Sequence, residues 1–242
     1  MNTFTFKEML ADQNWLSKLA IGTSVNLTAL LVFLFNPLFL PLSVIMGGIT
    51  NGYLLRVMRT YIKGSKELPE WDQFVDLMIS GISWLAVTLF FQFGGLALLA
   101  LFLTQGVASG STFVASKGFT NWGMTTFLSV YCYFVLTSFF TSILMANFAQ
   151  EESMKSGFQW LKVSIRMMRA PGKFLVVWLA GLSLIFLASF LPGLTFIGLI
   201  ISPFLTFLAQ VVQARMIALV WRETAKPGEE PSDSAASAAL SS

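Results

Sequence analysis

Long uncharged, mostly apolar runs alternate with short charged segments along this chain, and the run lengths predict its elements. A helix needs about 20 apolar residues to cross the hydrocarbon core of a bilayer. Lys18 and Arg56 bracket 37 uncharged residues, too many for one span and enough for a tight helical hairpin. Asn36, Pro37 and Pro41 stand near the middle, where the turn is wanted. Helix one is expected at 19–36 and helix two at 40–59, with Arg56 snorkelling from its end. The run from Asp76 to Lys117 predicts helix three at 77–103, then a Gly/Ser-rich loop from Gly106 to Gly123. Helix four follows at 124–148. Lys173 and Arg215 bracket 41 uncharged residues broken by Leu191-Pro192-Gly193, which predicts helices five (174–191) and six (196–220), with Pro203 as a kink site.

Composition narrows the class. Of 242 residues, 55% are hydrophobic and 11% charged, too few charges to cover a soluble domain with so much apolar surface. A disordered chain needs the opposite balance. The expected fold class is therefore all-α: an integral membrane helical bundle of about six transmembrane helices with two cytoplasmic amphipathic segments. Its parts are a cytoplasmic N-terminal segment at 1–18, a six-helix domain at 19–222, and a disordered cytoplasmic tail at 223–242 rich in Pro, Ser, Ala and acids. The first apolar run follows Glu8 and Asp12 and leads into proline without a small-residue cleavage site, so it reads as a retained span rather than a signal peptide.

Charge then orients the bundle. With six spans, 14 of the 15 Lys and Arg fall on the side that holds both termini, and only Lys117 falls on the other. The positive-inside rule makes that side cytoplasmic. The net charge of +3 and the position of the bases beside apolar runs fit membrane orientation better than nucleic-acid binding.

The chemistry available is narrow. The chain has no His and one Cys, Cys132, which excludes an internal disulfide, zinc sites built on Cys and His, and His-based catalysis. No cofactor is expected. No Asp, Glu, Lys or Arg lies well inside a span, which argues against a proton-driven transporter. The intramembrane amides Asn26, Asn51, Gln92, Gln105, Asn147, Gln210 and Gln213 are expected to bond across helices. Gly48 to Gly52 matches a GxxxG spacing.

Two cytoplasmic segments are amphipathic. In Leu68-Pro69-Glu70-Trp71-Asp72 the proline suits a first helical turn and the acids suit its positive end. Trp71, Phe74, Val75, Met78, Ile79 and Ile82 then recur at helical spacing. Gly64 is expected to end the preceding helix, whose basic edge Arg56, Arg59 and Lys63 would face Glu70, Asp72 and Asp76. This is a helix–turn–helix corner, with a headgroup site as the sharper alternative. The second segment, Lys155 to Arg169, sets the apolar line Phe158, Leu161, Ile165 and Met168 against Lys155, Lys162, Arg166 and Arg169, with Lys173 opening the next span. A basic amphipathic helix beside spans fits the interface, with anionic lipid as the partner, or else docks on a protein.

Gly52-Tyr53, Arg56, Arg59, Gly64, Leu68-Pro69-Glu70-Trp71 and Gly81, followed by Arg169-Ala170-Pro171-Gly172-Lys173-Phe174, together resemble the hallmark of an uncharacterised prokaryotic membrane-protein family, a domain of unknown function. The resemblance covers residues 15–222. It departs at Ala170-Pro171, where Asn-Pro is expected. It implies a helical multi-span fold in a prokaryotic cell membrane and no established activity. The leading functional expectation is a non-enzymatic organising or accessory protein with a cytoplasmic docking surface. The alternative is a channel or facilitator for a small or amphiphilic solute. An intramembrane enzyme would have to rely on Asp72, Asp76 or interfacial Ser groups.

Overall fold

The computed structural model describes residues 12–35, 37–65, 67–108, 118–193 and 195–225. Among these there are seven α-helices and no strand. Helix α1 is Trp15–Phe35, a 3-10 turn spans Pro37–Phe39, and α2 is Leu40–Ile62. Helices α3 (Phe74–Ala108) and α4 (Gly118–Glu151) follow. A second 3-10 turn (Met154–Phe158) leads to the short α5 (Trp160–Met167), then α6 (Pro171–Gly193) and α7 (Phe196–Glu223).

Within these elements, four stretches are long and apolar enough to cross a membrane: Phe74–Ala97, Leu128–Glu151, Pro171–Phe190 and Ile201–Glu223. The protein is an all-α membrane protein. Of the Gly/Ser-rich loop expected at 106–123, residues 106–108 belong to α3 and 118–123 to α4, while 109–117, Lys117 among them, lie outside the described residues. Helical hydrogen bonding carries the backbone past Gly106, Gly118 and Gly123, since one glycine in a helix costs only about 1 kcal/mol. At the other end α7 includes Glu223, so the expected tail begins no earlier than Thr224; residues 226–242 and 1–11 also lie outside the description.

Hydroxyls inside the apolar helices bond their own helix. Thr23, Thr28, Thr88, Thr137, Thr141 and Ser142 each donate to the carbonyl four residues back, at 2.7–3.0 Å. Where no water is at hand, that is how such a group is satisfied. Asn51 likewise donates to Gly47 O at 2.8 Å, not across helices as expected. Near Pro203, where α7 lacks one backbone donor, Ser189 and Thr206 join α6 to α7 at 3.0 Å.

Helix α2 packs against α1, α3, α4 and α7, and α7 packs against α1, α2, α4 and α6. The core gathers toward one end: Tyr53, Leu55, Met58 and Tyr61 of α2, Ile143 and Leu144 of α4, and Phe207, Ile217 and Trp221 of α7. That end carries Lys18, Arg56, Arg59, Arg166, Arg215 and Arg222. Away from it, large apolar side chains such as Leu38, Phe93, Leu136, Phe186 and Phe190 stay exposed, as lipid-facing side chains can.

Candidate functional site

The hallmark residues come together where the start of α1, the end of α2 and the segment 67–73 meet. Helix α2 ends as the sequence predicts: Gly64 takes φ +92°, its N–H donates to Tyr61 O at 3.1 Å, and Ser65 N–H donates to Thr60 O at 3.1 Å. These two bonds make a Schellman cap, which needs a left-handed residue. A Cβ on Gly64 would also lie 3.1 Å from the Arg222 guanidinium.

The next turn departs from expectation. Pro69, Glu70, Trp71 and Asp72 do not open a helix; α3 begins at Phe74, after Gln73 at φ +52°. The segment is a strap whose carbonyls serve side chains of α1 and α2. Lys18 Nζ donates to Leu68 O at 2.7 Å, Tyr53 Oη to Pro69 O at 3.1 Å, and Arg56 Nη1 to Glu70 O and Asp72 O at 3.3 and 3.0 Å. With these carbonyls bonded to side chains of α1 and α2 and Gln73 in a left-handed backbone, α3 starts only at Phe74, and Glu70 and Asp72 do not sit on a helix start. Only Asp76 lies in the first turn of α3.

Three interactions lock the strap down. The Trp71 ring stacks on Tyr53 with centroids 3.9 Å apart, and its Nε1 donates to Lys18 O at 2.7 Å. Phe207 of α7 closes on both rings at 6.1 and 6.2 Å. The buried Lys18 ammonium lies 2.8 Å from Asp12 and 2.8 Å from Glu70. Burial pushes the Asp12 carboxyl up, but the bond from Lys18, the amides of Asn14 and Leu68 and the ammonium charge outweigh it, leaving it below the ordinary value. Burial alone would lower Lys18; its bonds to Asp12 and Glu70 raise it overall.

The expected basic edge divides. Arg56 pairs with Asp72 and reaches Gln73. Arg59 turns instead to α4, 3.2 Å from Ala149 O and 2.8 Å from Glu152. Lys63 is exposed. Beneath this edge Gly52 and Gly81 let α2 and α3 touch backbone to backbone. A Cβ on Gly52 would lie 1.9 Å from Leu77 O, and one on Gly81 1.7 Å from Gly48 O. The GxxxG spacing thus serves packing within the chain.

The second segment also differs from the single helix expected over Lys155 to Arg169. Ser153 caps a 3-10 turn, and Asn147 of α4 holds that turn by donating to Ser156 O at 2.8 Å. Arg166 points inward rather than to the surface. Its guanidinium lies 3.9 Å over the Trp221 ring and donates to Trp221 O at 2.6 Å and Gln150 Oε1 at 3.3 Å. Arg169 donates to Thr224 O at 3.1 Å, Lys173 pairs with Glu223 at 2.9 Å, and Lys162 pairs with Glu151. Lys155 is exposed. Outward, Phe158, Trp160, Leu161, Ile165 and Met168 are all exposed.

The profile of a family described as a protein of unknown function, DUF4013, matches residues 30–197. The chain belongs to that family. No curated protein and no solved structure matches it. The DUF4013 region contains every hallmark residue from Gly52 to Gly81 and all of α5, but not Asp12, Lys18, Phe207 or Trp221. Both joints are thus completed from outside the DUF4013 match. Sequence reasoning counted Lys18 only as a base flanking a span, because Asp12 precedes the helix and gives no helical spacing with it. Nor does any local spacing connect Arg59 with Glu152 or Arg166 with Trp221.

Proposed function

We propose that this DUF4013 protein is a non-enzymatic organising or accessory protein of a prokaryotic cell membrane, with both termini in the cytoplasm and α5 as its contact surface. One observation supports this reading above others. The polar locks and the core gather at the basic end, and beside them α5 turns Trp160, Leu161, Ile165 and Met168 outward next to Lys155, Lys162 and Arg169. A rigid base presenting an apolar row flanked by cations suits an anionic membrane surface and, through it, a membrane-bound protein partner. The orientation rests on the distribution of bases, 14 of 15 on one side.

A second reading, a channel or facilitator, draws on two buried amide oxygens, Gln92 Oε1 and Asn147 Oδ1, neither of which has a hydrogen-bond partner. A buried unpaired acceptor is costly unless water or a solute reaches it. Single cysteines at Gln92, Asn147 and Gln210 in a Cys132→Ser background, probed with a small water-soluble thiol reagent in sealed vesicles, separate the two. Unreactive positions support the organising role, and reactive ones at all three would replace it with a permeation path.

A further inference from the structure

We infer that the α1–α2 hairpin enters the membrane at the basic face and turns inside it, so that its tip lies among acyl chains and never emerges in water. The protein then has four crossings and one intramembrane hairpin. The inference rests on the basic end of the bundle lying at a membrane surface, and it holds for either orientation.

The first observation is depth. Lys18 and Arg56 are both tied to the strap at 68–72, so the two open ends of the hairpin sit at one level. Leu40 is sixteen residues from Arg56 along α2, which is about 24 Å at 1.5 Å per residue. Phe35 is seventeen residues from Lys18 along α1, about 26 Å. The hydrocarbon core is about 30 Å thick. By contrast, α3 and α4 hold 35 and 34 residues, each about 50 Å long and ample for crossing.

The second observation is the chemistry of the tip. From Ala29 to Leu42 the sequence is Ala-Leu-Leu-Val-Phe-Leu-Phe-Asn-Pro-Leu-Phe-Leu-Pro-Leu, with Asn36 its single polar side chain. Leu38 is 84% exposed, and Phe39 and Leu40 are more than half exposed. A turn bathed in water would leave these leucines and phenylalanines hydrated, against about 25 cal/mol for each Å² of apolar surface. Acyl chains remove that cost.

The third observation is the backbone, since lipid offers no partner to an unpaired amide. The 3-10 turn Pro37–Phe39 runs directly into α2 with no residue between them, so carbonyls of the turn feed the helix. Pro37 and Pro41 bring no N–H to satisfy. Near the tip, Ser43 Oγ donates to Ala29 O at 3.0 Å, tying α2 back onto α1.

The test uses the full chain with Cys132 replaced by Ser. A nitroxide is attached in detergent at Leu38→Cys, an exposed position, and the protein is reconstituted into bilayers. Collisions with oxygen and with a water-soluble nickel chelate are then measured. The expected result is frequent oxygen collision and nickel collision about tenfold lower than at Lys63→Cys, because the chelate is excluded from hydrocarbon. Nickel collision at Leu38→Cys equal to that at Lys63→Cys would overturn the intramembrane turn and make α1 and α2 complete crossings. The same measurement at Leu42→Cys should show the same exclusion. Which side is cytoplasmic is read separately by sided labelling and does not alter this outcome.

Discussion

Arg59 and Glu152 stand 93 positions apart in the chain, yet their side chains meet at 2.8 Å, where α2 passes the end of α4. Glu152 reaches this place through a left-handed backbone, φ +54°, and Arg59 holds Ala149 O as well. This joins the two halves of the bundle at the basic end. A double-mutant cycle on Arg59 and Glu152 should show coupling of about 0.5–1 kcal/mol, as the pair is partly exposed. Arg56 with Asp72 should couple similarly. Arg59 with Asp72, which the sequence places opposite one another, should be additive. Thermal unfolding of the purified variants in micelles measures all three, and coupling of Arg59 to Asp72 would contradict the geometry.

The contact of α2 with α3 gives a sharper steric prediction. Gly52→Ala and Gly81→Ala each drive a methyl group into a facing carbonyl, and each should destabilise by about 1–3 kcal/mol. Gly47→Ala, with nothing within 4 Å of its new methyl, should be neutral or slightly stabilising, since alanine favours the helix. Equal melting points for all three would mean the helices are not in backbone contact.

The Asp12–Lys18–Glu70 joint sets a pH profile. Asp12 titrates below its ordinary value when folded, so its contribution is present above about pH 4 and is lost as pH falls through the folded value. Lys18 titrates above its ordinary value, so its contribution is complete below about pH 10 and fades as pH rises through the folded value. Stability from this joint is therefore flat across neutral pH. Asp12→Asn should lower the plateau and flatten the acid limb. An unchanged acid limb in that variant would place acid sensitivity elsewhere.

The distribution of bases predicts the orientation. Reporter fusions after Lys66, Lys173 and Lys226 should read as cytoplasmic and a fusion after Lys117 as external. An external signal at Lys226 would sink the assignment.

How much of this was legible follows the range of each signal. Helix positions were readable because uncharged run length and Pro or Gly breaks are local: Pro192-Gly193 ends α6, and Gly64 caps α2. The strap was misread because Pro69, Glu70 and Asp72 have the composition of a helix start. Their fate was decided by Lys18, Tyr53 and Arg56, which take the carbonyls from other elements. Arg166 looked like one more interfacial base because helical spacing cannot report that Trp221 waits 55 residues later. Run length also could not separate a hairpin that crosses from one that turns within the membrane, since both leave Lys18 and Arg56 on the same side.

The Arg166–Trp221 joint predicts that charge alone will not hold α5 in place. The guanidinium combines stacking over Trp221 with bonds to Trp221 O and Gln150 Oε1, while Trp221 Nε1 donates to the same Gln150 oxygen at 2.7 Å. A lysine keeps the charge but has neither the planar fork nor the flat face to do this. Arg166→Lys should therefore lose about 1–3 kcal/mol, the worth of the charged donor's bonds, even though Gln150 Oε1 keeps its bond from Trp221 Nε1 and Trp221 O its bond from Thr224 Oγ1. Arg166→Met, which fills the space without a charge, should cost a comparable amount, because Trp221 O and Gln150 lose the same bonds. In both variants α5 should come away from the end of α7 before the bundle melts. Limited proteolysis in membranes, followed by mapping of the cut sites, reads this directly: new cleavage at 155–169 with α3 and α4 intact is the expected result. Wild-type resistance in Arg166→Lys would show that the positive charge suffices and that the stacked geometry over Trp221 contributes little.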